Sequence, residues 1–250
     1  MTSPNIEMEI LALTLIRESE RPVGSSRLAE ALNESGIHLA EATAGRFLRS
    51  LDKQGFTVIP RPKQGRVVTE LGQRRLEELK GALRVQENGA NLVLAASTTD
   101  LSELLDILVV RRAVESEGAR LAAADATDED LAEIARQAAS HRKAVEAGSS
   151  PDRESSTTFH RSIAAATRNR ILISMADLLI EPANPNLTRV LEEVSLNSKV
   201  VAEQAHDHSE LAAALVNRDV ELAGRLMNLH VEHLIEAVRS YLEKTASKGK

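Results

Sequence analysis

The stretch PVGSSRLAEALNESGIHLAEATAGRFLRSLDKQGF, residues 22–56, decides how the first third of the chain folds. Pro22 and Gly24 close a connection, after which Leu28, Ala29, Ala31 and Leu32 recur at helical spacing. Ser25 or Ser26 stands where a cap is needed and Gly36 where the helix stops. A third helix runs from about Ala40 to Gln54. Its apolar stripe is Ala44, Phe47, Leu48 and Leu51, which leaves Thr43, Arg46, Arg49, Ser50 and Lys53 largely on the other side, with Gly55 as C-cap. Upstream, Ile6, Ile10, Leu13 and Ile16 mark one face of a first helix over residues 6–18. Downstream, FTVIPR and RVVTE read as two strands joined by the turn residues Pro62-Lys63-Gln64-Gly65, with Pro60 confining the first strand to an edge.

Three helices and a basic hairpin predict a winged helix, because the third helix fits the major groove of duplex DNA while the wing reaches adjacent phosphate. On that reading Thr43, Arg46, Arg49 and Lys53 enter or flank the groove. Arg61, Lys63 and Arg66 contact backbone or minor groove, and Ser25 and Ser26 hold a phosphate at a helix N-terminus. Charge supports the division. The chain carries −6 overall, yet residues 1–85 hold 13 Lys+Arg against 11 Asp+Glu, and residues 39–66 hold six against two. Positive charge thus concentrates on the elements that would meet phosphate. A helical head that serves protein contacts, with merely solvated Arg and Lys, is the alternative.

The 250 residues are 42% apolar but only 2% aromatic, which favours a helical body over sheets. Cysteine is absent, so thiolate metal sites, disulfides and cysteine nucleophiles are excluded. No secretory signal or membrane-spanning apolar run is present, and a cytoplasmic location without membrane contact is expected. The expected division is a winged helix over 1–80, a linker over 81–100 with breaks at Gly81 and Asn88-Gly89, and a bundle of six or seven helices over 101–250. The fold class is mainly α throughout.

Three histidines organise the bundle. His160 shares a face with Ile163 and Ala164; His208 has Leu211, Ala212 and Leu215 at +3, +4 and +7; His230 lies on the stripe of Ala223, Leu226, Met227 and Leu234. His206, two positions from His208, is about 200° around the helix and points away. His38 and His141 have no such company, and His233 sits at a stripe's edge. Three inward imidazoles from separate helices suit a divalent metal, with a metal-free polar pocket or purely structural roles as the alternatives. An open site of three histidines also describes a metal-dependent hydrolase, but no general base has a convincing face. The protein is therefore not expected to be an enzyme.

Two resemblances add to this reading. Residues 22–56 followed by GRVVTELG resemble the winged-helix domain at the front of ribonuclease R-type proteins and of some archaeal nitrogen regulators, over about residues 6–80. That leaves an RNA-associated or adaptor role as a further alternative, although no interleaved aromatics are available to stack bases. Residues 101–245 resemble the FadR-type C-terminal effector domain (FCD) of GntR-superfamily regulators, through Val110-Arg-Arg-Ala-Val-Glu115, Leu121-Ala-Ala, Phe159-His160, Asn169, and His208 to Leu215 with Asp219, Ala223 and His230. The resemblance implies a ligand-responsive, homodimeric transcription regulator that binds operator DNA and a small carboxylate effector. It also implies a Zn, Ni or Mn ion on His160, His208 and His230. In metal-binding members an Asp precedes the first His by four residues; here that position is Ser156, with Asp152 and Glu154 as nearby substitutes. Arg111, Ser156 and Asn169 are the implied effector contacts.

Overall fold

The computed structural model describes residues 4–97, 101–148, 153–180, 185–195 and 197–248. The chain divides into two compact units, Met1–Asn91 and Leu92–Lys250. In the first, α1 (Pro4–Glu18), α2 (Ser25–Glu34) and α3 (Glu41–Lys53) precede a two-stranded antiparallel sheet of β1 (Thr57–Val58) and β2 (Val67–Val68). The register pairs Thr57 with Val68 and Val58 with Val67. Leu13, Leu28, Leu32, Leu48, Leu51 and Leu76 form its buried centre, and their burial is the main force that holds three short helices together.

The helix ends follow local chemistry. Gly36 and Gly55 have φ of 86° and 77°, the left-handed conformation that a residue without Cβ adopts at little cost. The N-cap of α2 is Gly24 rather than a serine, and no side chain caps it. The strands are shorter than the two apolar runs, because Pro60 has no N–H to give a ladder and Lys63, at φ 64°, turns the chain. The wing is fastened instead by Val23 and Arg66, whose backbone N–H groups donate to each other's carbonyl at 2.9 and 2.8 Å. A Cβ at Gly65 would collide with the Val23 and Pro22 backbone, so this position needs glycine for close approach.

Helix α4 (Glu70–Ala96) is continuous. The breaks expected at Gly81 and Asn88-Gly89 do not occur; neither glycine has a positive φ, and an isolated glycine lowers helix propensity without ending the helix.

The second unit contains, among the described residues, α5 (Leu101–Asp125), α6 (Asp128–Glu146), α7 (Arg153–Ala166), α8 (Arg170–Ile180), α9 (Pro185–Ser195), α10 (Ser198–Val216) and α11 (Val220–Lys248). Asn197 separates α9 from α10 and caps the latter by accepting from the Lys199 N–H at 3.1 Å. A reciprocal capping box of Thr127 and Asp130 opens α6. Helix α5 packs along α11 and α6 along α10, burying Leu108, Ile134, Phe159, Ile163, Leu211 and Val231 in one core. No described helix is long and apolar enough to cross a membrane.

Space is open around Gly81 and Gly89. Replacing either with Ala is expected to stabilise α4 by about 0.5–1 kcal/mol, whereas Gly65→Ala should cost about 1–3 kcal/mol by overpacking. Guanidinium denaturation of the three variants checks both signs.

Candidate functional site

Four helices of the second unit place histidines at one buried point. The Nε2 atoms of His208 and His230 are 3.3 Å apart, and those of His230 and His160 are 3.2 Å apart. One ring nitrogen of each of the three residues lies within 4.8 Å of those of the other two. All three side chains are buried. Phe159 stacks on the His208 ring with centroids 4.2 Å apart, which fixes the plane of that imidazole.

Each ring is also held from behind. His160 Nδ1 lies 2.6 Å from Glu115 Oε2, a charge contact outside the angular limits of a directed hydrogen bond. Glu115 Oε1 accepts from Arg111 Nε at 2.6 Å. His230 Nδ1 faces Asp207 Oδ2 at 3.3 Å, and the same oxygen is 2.8 Å from His233 Nδ1. His208 Nδ1 is 2.9 Å from Nδ1 of the buried His141.

These partners decide where protons sit. A carboxylate only accepts, so Glu115 and Asp207 favour a proton on Nδ1 of His160 and His230. Neutral rings then present lone pairs from both Nε2 atoms, 3.2 Å apart and too close for a water to bridge, and two such lone pairs repel unless a cation lies between. Two nitrogens bound tetrahedrally at the usual zinc distance stand about 3.3 Å apart. Carboxylate or other acceptors behind the ring are also how a metal-ligating histidine is oriented. The residues present therefore fit a divalent metal.

Burial governs the titration. It lowers His208 well below the ordinary imidazole value, with the other rings adding to the effect, and lowers His230 despite the opposing pull of Asp207. Burial and the His160 charge lower His141. Burial raises Glu115 and Asp207, but Arg111 and His160 outweigh it for the first, and His230 and His233 for the second, so both carboxyls end below their usual range.

Other expected site residues are placed differently. Arg111 is buried and its Nε donates to Glu115 at 2.6 Å, an ion pair within the core. Asn169 is the cap of α8, its Oδ1 accepting from the N–H groups of Ile171 and Leu172 at 3.1 and 3.2 Å. Ser156 is half-buried on α7, one turn before His160. Asp152 and the side chain of Glu154 lie outside the described residues. His141, Glu115 and Asp207 are additional members that the sequence reading did not assign. His141 had a signal, since Leu131, Ile134, Ala138 and His141 share one buried stripe.

In the first unit, Arg46, Arg49, Lys53, Arg61 and Lys63 are exposed on α3 and the wing, as is Ser26 at the start of α2. Thr43 Oγ1 accepts from Arg46 at 2.9 Å. Ser25 donates to Glu41 at 3.0 Å, which puts a carboxylate beside the expected phosphate site. Arg66 departs most: its Nε and Nη2 both donate to Asp52 Oδ2 at 3.1 Å, so it fastens the wing to the end of α3 instead of facing a backbone phosphate.

Residues 106–233 match the FCD domain family, and residues 8–76 match the ribonuclease R winged-helix domain. The global nitrogen regulator NrpRI of Methanosarcina mazei is 33% identical over 79 residues, 31% of this chain and 24% of that protein, so the chain spans about a quarter of that relative's length. Among solved structures, E. coli McbR/YncC is 21% identical with a TM-score of 0.47, covering 97% of this chain and 100% of its own. A Streptococcus agalactiae GntR protein is 19% identical with a TM-score of 0.47, covering 93% and 99%. The winged-helix head and the helical body each match a family model of their own. The chain belongs to the FCD-domain family.

The shifts set a pH dependence. Unfolded imidazoles titrate near 6.5, and His208 and His230 are held lower in the fold. The native state thus binds fewer protons, so this stability is complete above about pH 6.5 and is lost as pH falls through the folded-state values. Half-exposed His233, raised by its Asp207 hydrogen bond and countered by desolvation, acts in the opposite sense but is solvent-screened and smaller. The thermal midpoint of the metal-free protein should fall on acidification below about pH 6.5, well before carboxylates protonate. Calorimetry across that range measures it.

Proposed function

We propose that this FCD-family protein is a ligand-responsive transcription regulator that acts as a homodimer. Its winged helix binds operator DNA through Arg46, Arg49, Lys53, Arg61 and Lys63, and its helical body holds a divalent metal on His160, His208 and His230. The observation that carries the reading is the approach of buried Nε2 atoms to 3.2 and 3.3 Å, with a partner behind each ring.

Zn, Ni or Mn would be ligated by the three Nε2 atoms, and the bound ion would supply a Lewis-acidic position for an anionic ligand. The protein supplies the remainder. Glu115 and Asp207 hold the rings in orientation, Phe159 fixes His208, and the surrounding apolar core keeps bulk water away. With Ser156 at the position where metal-binding members carry Asp, this site has fewer protein anions around the ion, which favours a small carboxylate effector as the completing ligand. Binding of that effector would be coupled to operator affinity by the differing fit of two dimer states.

Two measurements test this. Zn²⁺ at about 100 times its dissociation constant should stabilise the protein by about 2.7 kcal/mol, reversed by a chelator and absent from His160→Ala, His208→Ala and His230→Ala variants. Titration on genomic DNA fragments should give a site-specific, salt-sensitive complex, and Arg49→Ala should reduce the salt slope by about one. An intact protein with no specific complex would overturn the regulator reading.

A further inference from the structure

His141 stands outside the three-histidine set, yet it is buried and its Nδ1 lies 2.9 Å from Nδ1 of His208, with the ring planes inclined at 62°. Two imidazole nitrogens at that distance bond only if one carries the proton and the other a lone pair. His208 Nε2 points to the shared centre, 3.3 Å from His230 Nε2. To offer a lone pair there, neutral His208 must carry its proton on Nδ1. That N–H is fully buried, and leaving it without an acceptor costs about 1–3 kcal/mol. His141 Nδ1 is the acceptor in place, and it accepts only with the His141 proton on Nε2.

We propose that His141 is a positioning residue of the metal centre: by accepting the Nδ1 proton of His208 it turns the Nε2 lone pair of His208 towards the ion. The inference rests on the metal reading above. It gives the third ligand a support of a different kind from the other two, because Glu115 and Asp207 are anions and His141 is a neutral ring. Glu115, Asp207 and Arg111 together carry one net negative charge, so with a dication these groups sum to one net positive charge. A third carboxylate behind His208 would cancel that charge. The neutral support keeps the centre attractive to an anion, the ligand class proposed for the open position.

The pair has a second arrangement. When His141 Nδ1 donates to His208 Nδ1, the His208 proton moves to Nε2 and points at His230. This serves a metal-free centre and blocks a loaded one. Tautomer is therefore a readout of the role that a purely structural residue would not move.

The experiment uses the full chain and Zn²⁺ competed against a chromophoric chelator. His141→Leu keeps an apolar side chain in the site but removes the acceptor, and it should weaken Zn²⁺ binding by about 10- to 100-fold. His141→Gln, whose amide oxygen accepts, should restore most of the affinity. Long-range ¹H–¹⁵N correlation spectra of the Zn²⁺-loaded wild type should show His208 protonated on Nδ1 and His141 on Nε2. Affinity of the Leu variant within twofold of wild type, or His141 protonated on Nδ1 in the loaded protein, overturns the proposal. Should His141→Leu fail to fold, the wild-type spectra decide. A wild type that takes up no Zn²⁺, Ni²⁺ or Mn²⁺ overturns the metal reading and this inference together, an outcome distinct from a loaded protein indifferent to position 141.

Discussion

Two carboxylates behind two imidazoles set the terms for the rest of the body. Glu115 and Asp207 draw protons to the outer nitrogens of His160 and His230, which turns bare lone pairs towards each other in the buried core. Water would relieve that repulsion if the rings were exposed. The helical body removes the option, since His160, His208 and His230 sit in a core with Phe159, Ile163, Leu211 and Val231. What remains is a buried set of three imidazole donors whose spacing suits a positive ion.

The same constraint explains a costly feature, the charged pair Arg111 and Glu115 inside a helix interface. A buried carboxylate with no cation nearby would be driven towards its neutral form, and a neutral carboxyl would no longer favour a proton on His160 Nδ1. Arg111, one turn earlier on α5, keeps Glu115 ionised. The pair is better understood as support for an imidazole than as a source of stability, because buried ion pairs often contribute little once desolvation is counted.

Much of this was legible from spacing. Apolar neighbours at three, four and seven positions placed His160, His208 and His230 inward, and turn residues marked the wing. The supports were hidden for physical reasons. Glu115 interrupts an apolar stripe, and a charge at such a position reads as the edge of a solvated face until its partner is known. Asp207 lies beside His208 in the chain but serves His230, a pairing made only by the packing of α10 on α11. His141 was passed over because small alanines surround it, although its stripe with Leu131 and Ile134 was there to be read. In the head, Arg66 belonged to a basic cluster by composition, and only the three-dimensional path shows Asp52 within its reach. Asn169, quoted for the family resemblance, has a local structural task as well, since its Oδ1 caps α8.

His233 reaches solvent, yet its ring rests on the same Asp207 oxygen that faces the interior His230. A position that surface-engineering rules would treat as free to change is therefore wired to the middle of the bundle. Swapping in a lysine for solubility, or attaching a label there, would disturb a carboxylate that also faces a core ring, and the damage would register where no solvent-exposed change is expected to be felt.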